Sequence, residues 1–134
     1  MKRKIDYIVI HCTATPKNTS VESIKNHWKN ALKWNSPGYH FLVEENGKVN
    51  SLQSFDLPTN GVKGFNSRSI HISYIGGLNK DDRSEAQKKA IIECIRLAKN
   101  YSLPNIPKIQ GHRDFPKVAK LCPQFNAIDE YENL

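Results

Sequence analysis

Apolar and polar positions along the chain mark out most of its elements. Residues 4–11 end in the run Tyr7-Ile8-Val9-Ile10, the pattern of a central strand buried on both faces. Behind Ser20, a good N-cap, Val21, Ile24, Trp28, Ala31 and Leu32 recur at helical spacing and predict one amphipathic helix. Ser36-Pro37-Gly38 breaks the chain. Tyr39 to Val43 then reads as a strand, Glu45-Asn46-Gly47 as a tight turn, and Lys48 to Leu52 as the returning half of a hairpin. Residues 56–68 carry the Pro, Gly, Asn and Ser of a surface loop. Ser69 to Tyr74 alternates strictly, with Ile70, Ile72 and Tyr74 on one side and His71 and Ser73 on the other. Ser84 and Gln87 form a capping box ahead of a helix whose apolar face carries Ala90, Ile91, Cys94, Ile95, Ala98 and Tyr101. Pro104 and Pro107 end it, Lys108-Ile109-Gln110 is a short strand, and Asn126 caps a last helix. Strands interleaved with helices and one hairpin predict an α/β (α+β) domain: a central mixed sheet flanked by helices.

Composition narrows this picture. A chain of 134 residues, 38% hydrophobic and 25% charged, suits a single domain over 1–134 and excludes wholesale disorder. No apolar run approaches the ~20 residues of a membrane span. After Met1-Lys2-Arg3-Lys4, Asp6 and His11 leave only Tyr7 to Ile10 as an apolar stretch, short of a signal-peptide core of ~7–15 residues. The expectation is a protein made in the cytoplasm without an export signal. Twenty Lys and Arg against thirteen Asp and Glu give a formal charge of +7, which attracts nucleic acid, anionic lipid or acidic wall polymers. The charge is spread along the chain and comes with no nucleic-acid reader motif. Cys12, Cys94 and Cys122 are odd in number and irregular in spacing, so they make no disulfide framework.

The candidate chemistry lies in histidine and cysteine. His11 ends the first buried strand, where ligands enter open α/β sheets. His112 stands in Gly111-His112-Arg113-Asp114, just past a short strand, and Cys122 comes ten residues later in Lys120-Leu121-Cys122-Pro123. A loop of that length can return a thiolate to the same ion as an imidazole, and three protein ligands with an open fourth position are the pattern of catalytic zinc. Spacing alone leaves metal binding and inert structural roles evenly matched. Cys94 belongs to the helix core, and Cys12 points away from its neighbour His11. Zinc-deaminase and His-Glu-x-x-His signatures are absent, and a Cys122–His112 nucleophile pair lacks a third group to orient the imidazole.

At these residues the chain resembles the zinc-dependent N-acetylmuramoyl-L-alanine amidases of type 2, the bacteriophage T7 lysozyme-like kind, which share a fold with peptidoglycan recognition proteins. The matching segments are Ile8 to Thr15, Pro37 to Val43, Gly64-Phe65-Asn66 with Ser69-Ile70, Ile75-Gly76-Gly77, Gly111 to Asp114, and Lys120 to Phe125. They occur in family order across nearly the whole chain. The resemblance implies one Zn2+ per chain on His11, His112 and Cys122, with catalytic roles for Tyr39 and Lys120. It implies hydrolysis of the amide joining N-acetylmuramic acid to L-alanine, with peptidoglycan or muropeptide as partner. A Lys ammonium or Tyr hydroxyl aimed at the developing oxyanion suits that chemistry. Tyr39 as the acceptor of the water's proton and a direct role for the metal hydroxide both stand.

The chain departs from the family in two places. Asn60-Gly61-Val62 stands where relatives of the phage enzyme often carry a His, and His71 stands at a strand position that is usually Gly. Asn66 and His71 are taken as substrate-contacting positions. The resulting expectation is a monomeric phage or prophage endolysin that reaches the wall after release, with no nucleic-acid partner and no membrane insertion. Two other classes compete: a recognition module that holds muropeptide without cutting it, and a basic nucleic-acid-binding protein. Non-catalytic members of the fold typically lack the Cys ligand, and Cys122 is present.

Overall fold

The computed structural model describes residues 2–118 and 120–134. Its centre is a five-stranded sheet formed by β1 (Tyr7–Cys12), β2 (Phe41–Val43), β3 (Val49–Ser51), β4 (Ser69–Tyr74) and β5 (Lys108–Gly111), in the order β3-β2-β4-β1-β5. β1 pairs in parallel with both β4 and β5, β2 is parallel to β4, and only the β2–β3 hairpin is antiparallel. The mixed sheet expected from the sequence is therefore the observed one. The strands agree with the expected ones to within a few residues at their ends.

The two central strands are covered on both sides. Ile8, Ile10, Ile70, Ile72 and Tyr74 pack against α2 (Glu85–Ser102) through Ile91, Cys94, Ile95 and Ala98. On the opposite face Val9 meets Val62 and Phe115, while Leu42 meets Ile24 and Trp28. His71 and Ser73 share this second face, and all six residues of β4 are buried. Alternation along β4 thus assigned the faces correctly, but both faces are interior because loops and α1 (Val21–Asn26) cover the side away from α2.

The caps behave as their chemistry requires. Ser20 accepts from the Ser23 amide, Ser84 and Gln87 form the full capping box, and Asn126 accepts from the Asp129 amide to start α3 (Ala127–Tyr131). The first helix departs from the expected single amphipathic run. After Asn26 it widens into a π turn over His27–Ala31, in which the Leu32 amide reaches the His27 carbonyl at 3.1 Å. The extra residue in this turn rotates the downstream positions, so Ile24 and Trp28 stay buried while Ala31 and Leu32 turn to solvent. No helix among the described residues is long and apolar enough to cross a membrane.

Candidate metal centre

Parallel pairing decides where the chemistry gathers. β1 and β5 are neighbours running the same way, with Ile10 opposite Gly111, so His11 and His112 leave the sheet side by side at the C-terminal ends of their strands. Their rings lie 4.8 Å apart between centroids. The loop after His112 returns because the Arg113 amide donates to the Cys122 carbonyl at 2.9 Å and the Tyr74 hydroxyl donates to the Pro123 carbonyl at 2.7 Å. Close approach at Gly111 completes the return. A Cβ there would lie 2.6 Å from Pro123 Cδ, so only glycine lets the loop settle on β5. The Cys122 sulfur then rests over the end of β1 and accepts from the Cys12 amide at 3.1 Å.

The result brings one ligand atom each from His11, His112 and Cys122 within 4.8 Å of one another. Two imidazoles and one sulfur are the donor types that suit a borderline-soft ion such as zinc. The environment prepares the imidazoles. Burial, followed by the charges of its neighbours, holds His11 well below the usual histidine range, and burial with the Lys120 ammonium pushes His112 down to about 4. Both rings therefore keep a bare nitrogen at neutral pH. The Cys12 thiol and burial hold the Cys122 thiol up, so a cation taking Cys122 as thiolate must displace a proton.

The cluster opens into a pocket of about 240 Å³ lined by His11, Trp28, Trp34, Tyr39, Lys120 and Cys122, among others. Tyr39 is half-buried, its ring 4.9 Å from His11 and 5.4 Å from Trp28. Burial raises its phenol above the ordinary range, so it offers a proton; its own bond to the Cys12 carbonyl is long, at 3.4 Å. Lys120 stands exposed on the rim. Beside this pocket, a wider groove of about 870 Å³ runs past Trp28 and Trp34 toward Lys25, Lys29 and Lys33.

Five of the seven expected site residues therefore meet in one place. The other two lie elsewhere. His71 is fully buried, its Nδ1 2.9 Å from His11 Nε2, and thus sits behind the ligand set and not in a wall of the pocket. Asn66 lies behind His71, its side-chain oxygen accepting from the amides of Gly61 and Val62. Trp34 has no place in the sequence pattern because it belongs to no periodic element. Its only signal is that of a large aromatic residue in a loop next to a helix-breaking Ser-Pro-Gly.

Two imidazoles and a cysteine sulfur at the C-terminal edge of an open sheet form a cluster with the donor types to hold a metal ion. The chain belongs to the N-acetylmuramoyl-L-alanine amidase family, whose model matches residues 1–125. It is accordingly an amidase of peptidoglycan. Among its relatives, the endolysin of Klebsiella phage KP32 is 30% identical over 135 residues, covering 93% of this chain and 84% of the relative. The endolysin of Escherichia phage T7 is 27% identical over 130 residues, with the same coverage. The N-acetylmuramoyl-L-alanine amidase LysC from Clostridium intestinale superimposes with a TM-score of 0.81 at 23% identity, covering 96% of this chain and 83% of that one. Drosophila peptidoglycan recognition protein LB does so with a TM-score of 0.82 at 17% identity, covering 99% and 82%. These structural likenesses establish the shared fold.

Proposed function

We propose that His11, His112 and Cys122 hold one zinc ion, and that the chain works as an endolysin cutting the bond between the lactyl group of N-acetylmuramic acid and L-alanine. The observation that carries this reading is the convergence of two neutral imidazoles and a cysteine sulfur within 4.8 Å at the mouth of a pocket. Bound there, zinc lowers the pKa of a coordinated water toward ~7 and polarises the scissile carbonyl.

The chain's own residues supply the rest. Lys120, on the rim, brings a flexible ammonium to the oxygen on which negative charge develops. Tyr39 donates its hydroxyl from the pocket wall, and its weak bond to the Cys12 carbonyl costs little to exchange for a substrate oxygen. Trp28 and Trp34 form apolar surface for a sugar ring or stem peptide, and the lysine-lined groove beside them carries positive charge toward an anionic wall. The chain acts as a monomer on wall material reached after release from the cell.

Zinc content and turnover test this together. The purified chain is expected to carry about one zinc and to release L-alanyl amino termini from sacculi, with loss on chelation and recovery on adding zinc. Metal-free protein that still cleaves would overturn the zinc reading; zinc-loaded protein that binds muropeptide without cleaving it would overturn the catalytic one. Comparing sacculi with soluble muropeptides shows which the site prefers.

A further inference from the structure

Behind the metal centre lies a chain of hydrogen bonds whose polarity is dictated from one end. The Asn66 side-chain oxygen accepts from the Gly61 amide at 3.1 Å and the Val62 amide at 2.8 Å. Backbone amides can only donate, so the atom they face is the carbonyl oxygen of Asn66 and not its nitrogen. The same oxygen lies 2.8 Å from His71 Nε2, which must therefore carry a proton and donate it. A neutral imidazole holds one proton, so His71 Nδ1 is bare. That bare nitrogen is 2.9 Å from His11 Nε2, which in turn must be the donor. The only lone pair left on His11 is on Nδ1.

From this geometry we infer that His71, oriented by Asn66, is a positioning residue that fixes His11 in the tautomer and ring orientation with Nδ1 free for the metal. The strands make the contact possible. Val9 of β1 lies opposite His71 and His11 opposite Ser73, so both imidazoles rise from the same face, one step apart along the register. His71 is held from every side. It has no exposed surface, and its backbone amide donates to His40 Nδ1 at 3.0 Å. The loop above it is pared to backbone: a Cβ on Gly61 would lie 2.3 Å from His71 Nδ1. A residue that merely filled this space would need neither the paired nitrogens nor the amide-anchored oxygen behind them.

Bonding a metal-ligating histidine through its second nitrogen sharpens its aim, and loss of such a partner typically costs 10–100-fold in metal affinity. The inference rests on His11 being a metal ligand, and its test separates the two. In metal-free protein at pH 7, long-range proton–nitrogen NMR of the histidine rings is expected to show His11 and His71 both protonated at Nε2. His11 protonated at Nδ1 would overturn the relay, whatever the protein's affinity for zinc. Zinc competition titrations form the second arm. H71L, which keeps apolar volume but no acceptor, is expected to bind zinc 10–100-fold more weakly and to alter the visible spectrum of the cobalt-substituted protein. H71N places an amide oxygen where Nδ1 stood and should recover most of the affinity and the parent spectrum. Equal affinity in parent, H71L and H71N, or equal loss in both variants, would overturn the positioning role. A parent chain that binds no zinc would instead overturn the metal reading, and the ring tautomers would still decide the relay. If H71L does not fold, the tautomer measurement and H71N carry the test.

Discussion

Cys122 carries the heaviest chemical demand of any residue here, because it is the only sulfur among the three proposed ligands and arrives from a loop without regular structure. Its thiol is held up by Cys12 and by burial, while His112 is already neutral above about pH 4. Zinc binding should therefore release one proton through neutral pH, and affinity should rise up to about tenfold per pH unit between 6 and 8. Calorimetry in buffers of different ionisation enthalpy measures that proton directly. C122A should lose both zinc and turnover while keeping its far-UV circular dichroism. K120A is a milder change at an exposed site: zinc content should stay at one per chain while kcat falls by roughly 10²–10³, the usual cost of an oxyanion donor. An unchanged kcat would remove Lys120 from the chemistry.

At the scale of elements, the site depends on how closely the Cys122 loop lies on β5. G111A tests that fit. The new methyl would meet Pro123 at 2.6 Å, so the loop must lift, at a cost of about 1–3 kcal/mol in stability and with weakened zinc binding. Thermal unfolding and a zinc titration measure the two effects. Downstream of that loop, Arg83 ties the segment before α2 to the C-terminal helix. It is buried, pairs with Asp81 and Glu130, donates to the Tyr131 hydroxyl at 2.9 Å, and stacks 3.4 Å from the Phe125 ring centroid. That cluster fastens α3, which comes directly after the Cys122 loop, and so anchors the loop's downstream end.

Across the whole molecule, four histidines are held neutral by burial, which makes folding sensitive to acid. His40 shows the sign most simply. Its Nδ1 accepts from the His71 amide and its Nε2 donates to the Leu57 carbonyl at 2.8 Å, so the folded ring has no place for a second proton. Burial, with a smaller contribution from Arg3, pushes it down to about 4, against 6.5 for an unperturbed histidine. Between pH 6.5 and 4 the unfolded chain binds this proton and the folded one does not. Stability therefore falls as the pH drops through that window, by roughly 3 kcal/mol for His40 alone, and is unaffected by this group above it. Denaturant unfolding at pH 4.5 and 7 measures the loss; equal midpoints would show that the ring titrates normally in the folded state.

Much of this was legible in the sequence. Period-two and helical patterns and cap residue types located the strands, the caps at Ser20, Ser84 and Asn126, and the long helix, because those signals depend only on neighbours along the chain. The three members of the His-His-Cys cluster could be singled out too, since His11 ends an apolar strand and His112 and Cys122 stand in loops, although position alone left metal binding and structural roles even. Other features required the third dimension. Nothing local announces that the helix after Ser20 widens at His27, where Trp28 packs against Leu42 and Ile75 from distant parts of the chain. His71 reads in sequence as a polar position in an alternating strand, open to substrate. Only the parallel pairing of β1 with β4, and a loop reduced to glycine at Gly61, turned it inward against His11. Side-chain type and local periodicity are written residue by residue. Which histidine stands behind which, and which proton each one holds, depends on strand register and loop closure, and those are set by contacts between residues far apart in the chain.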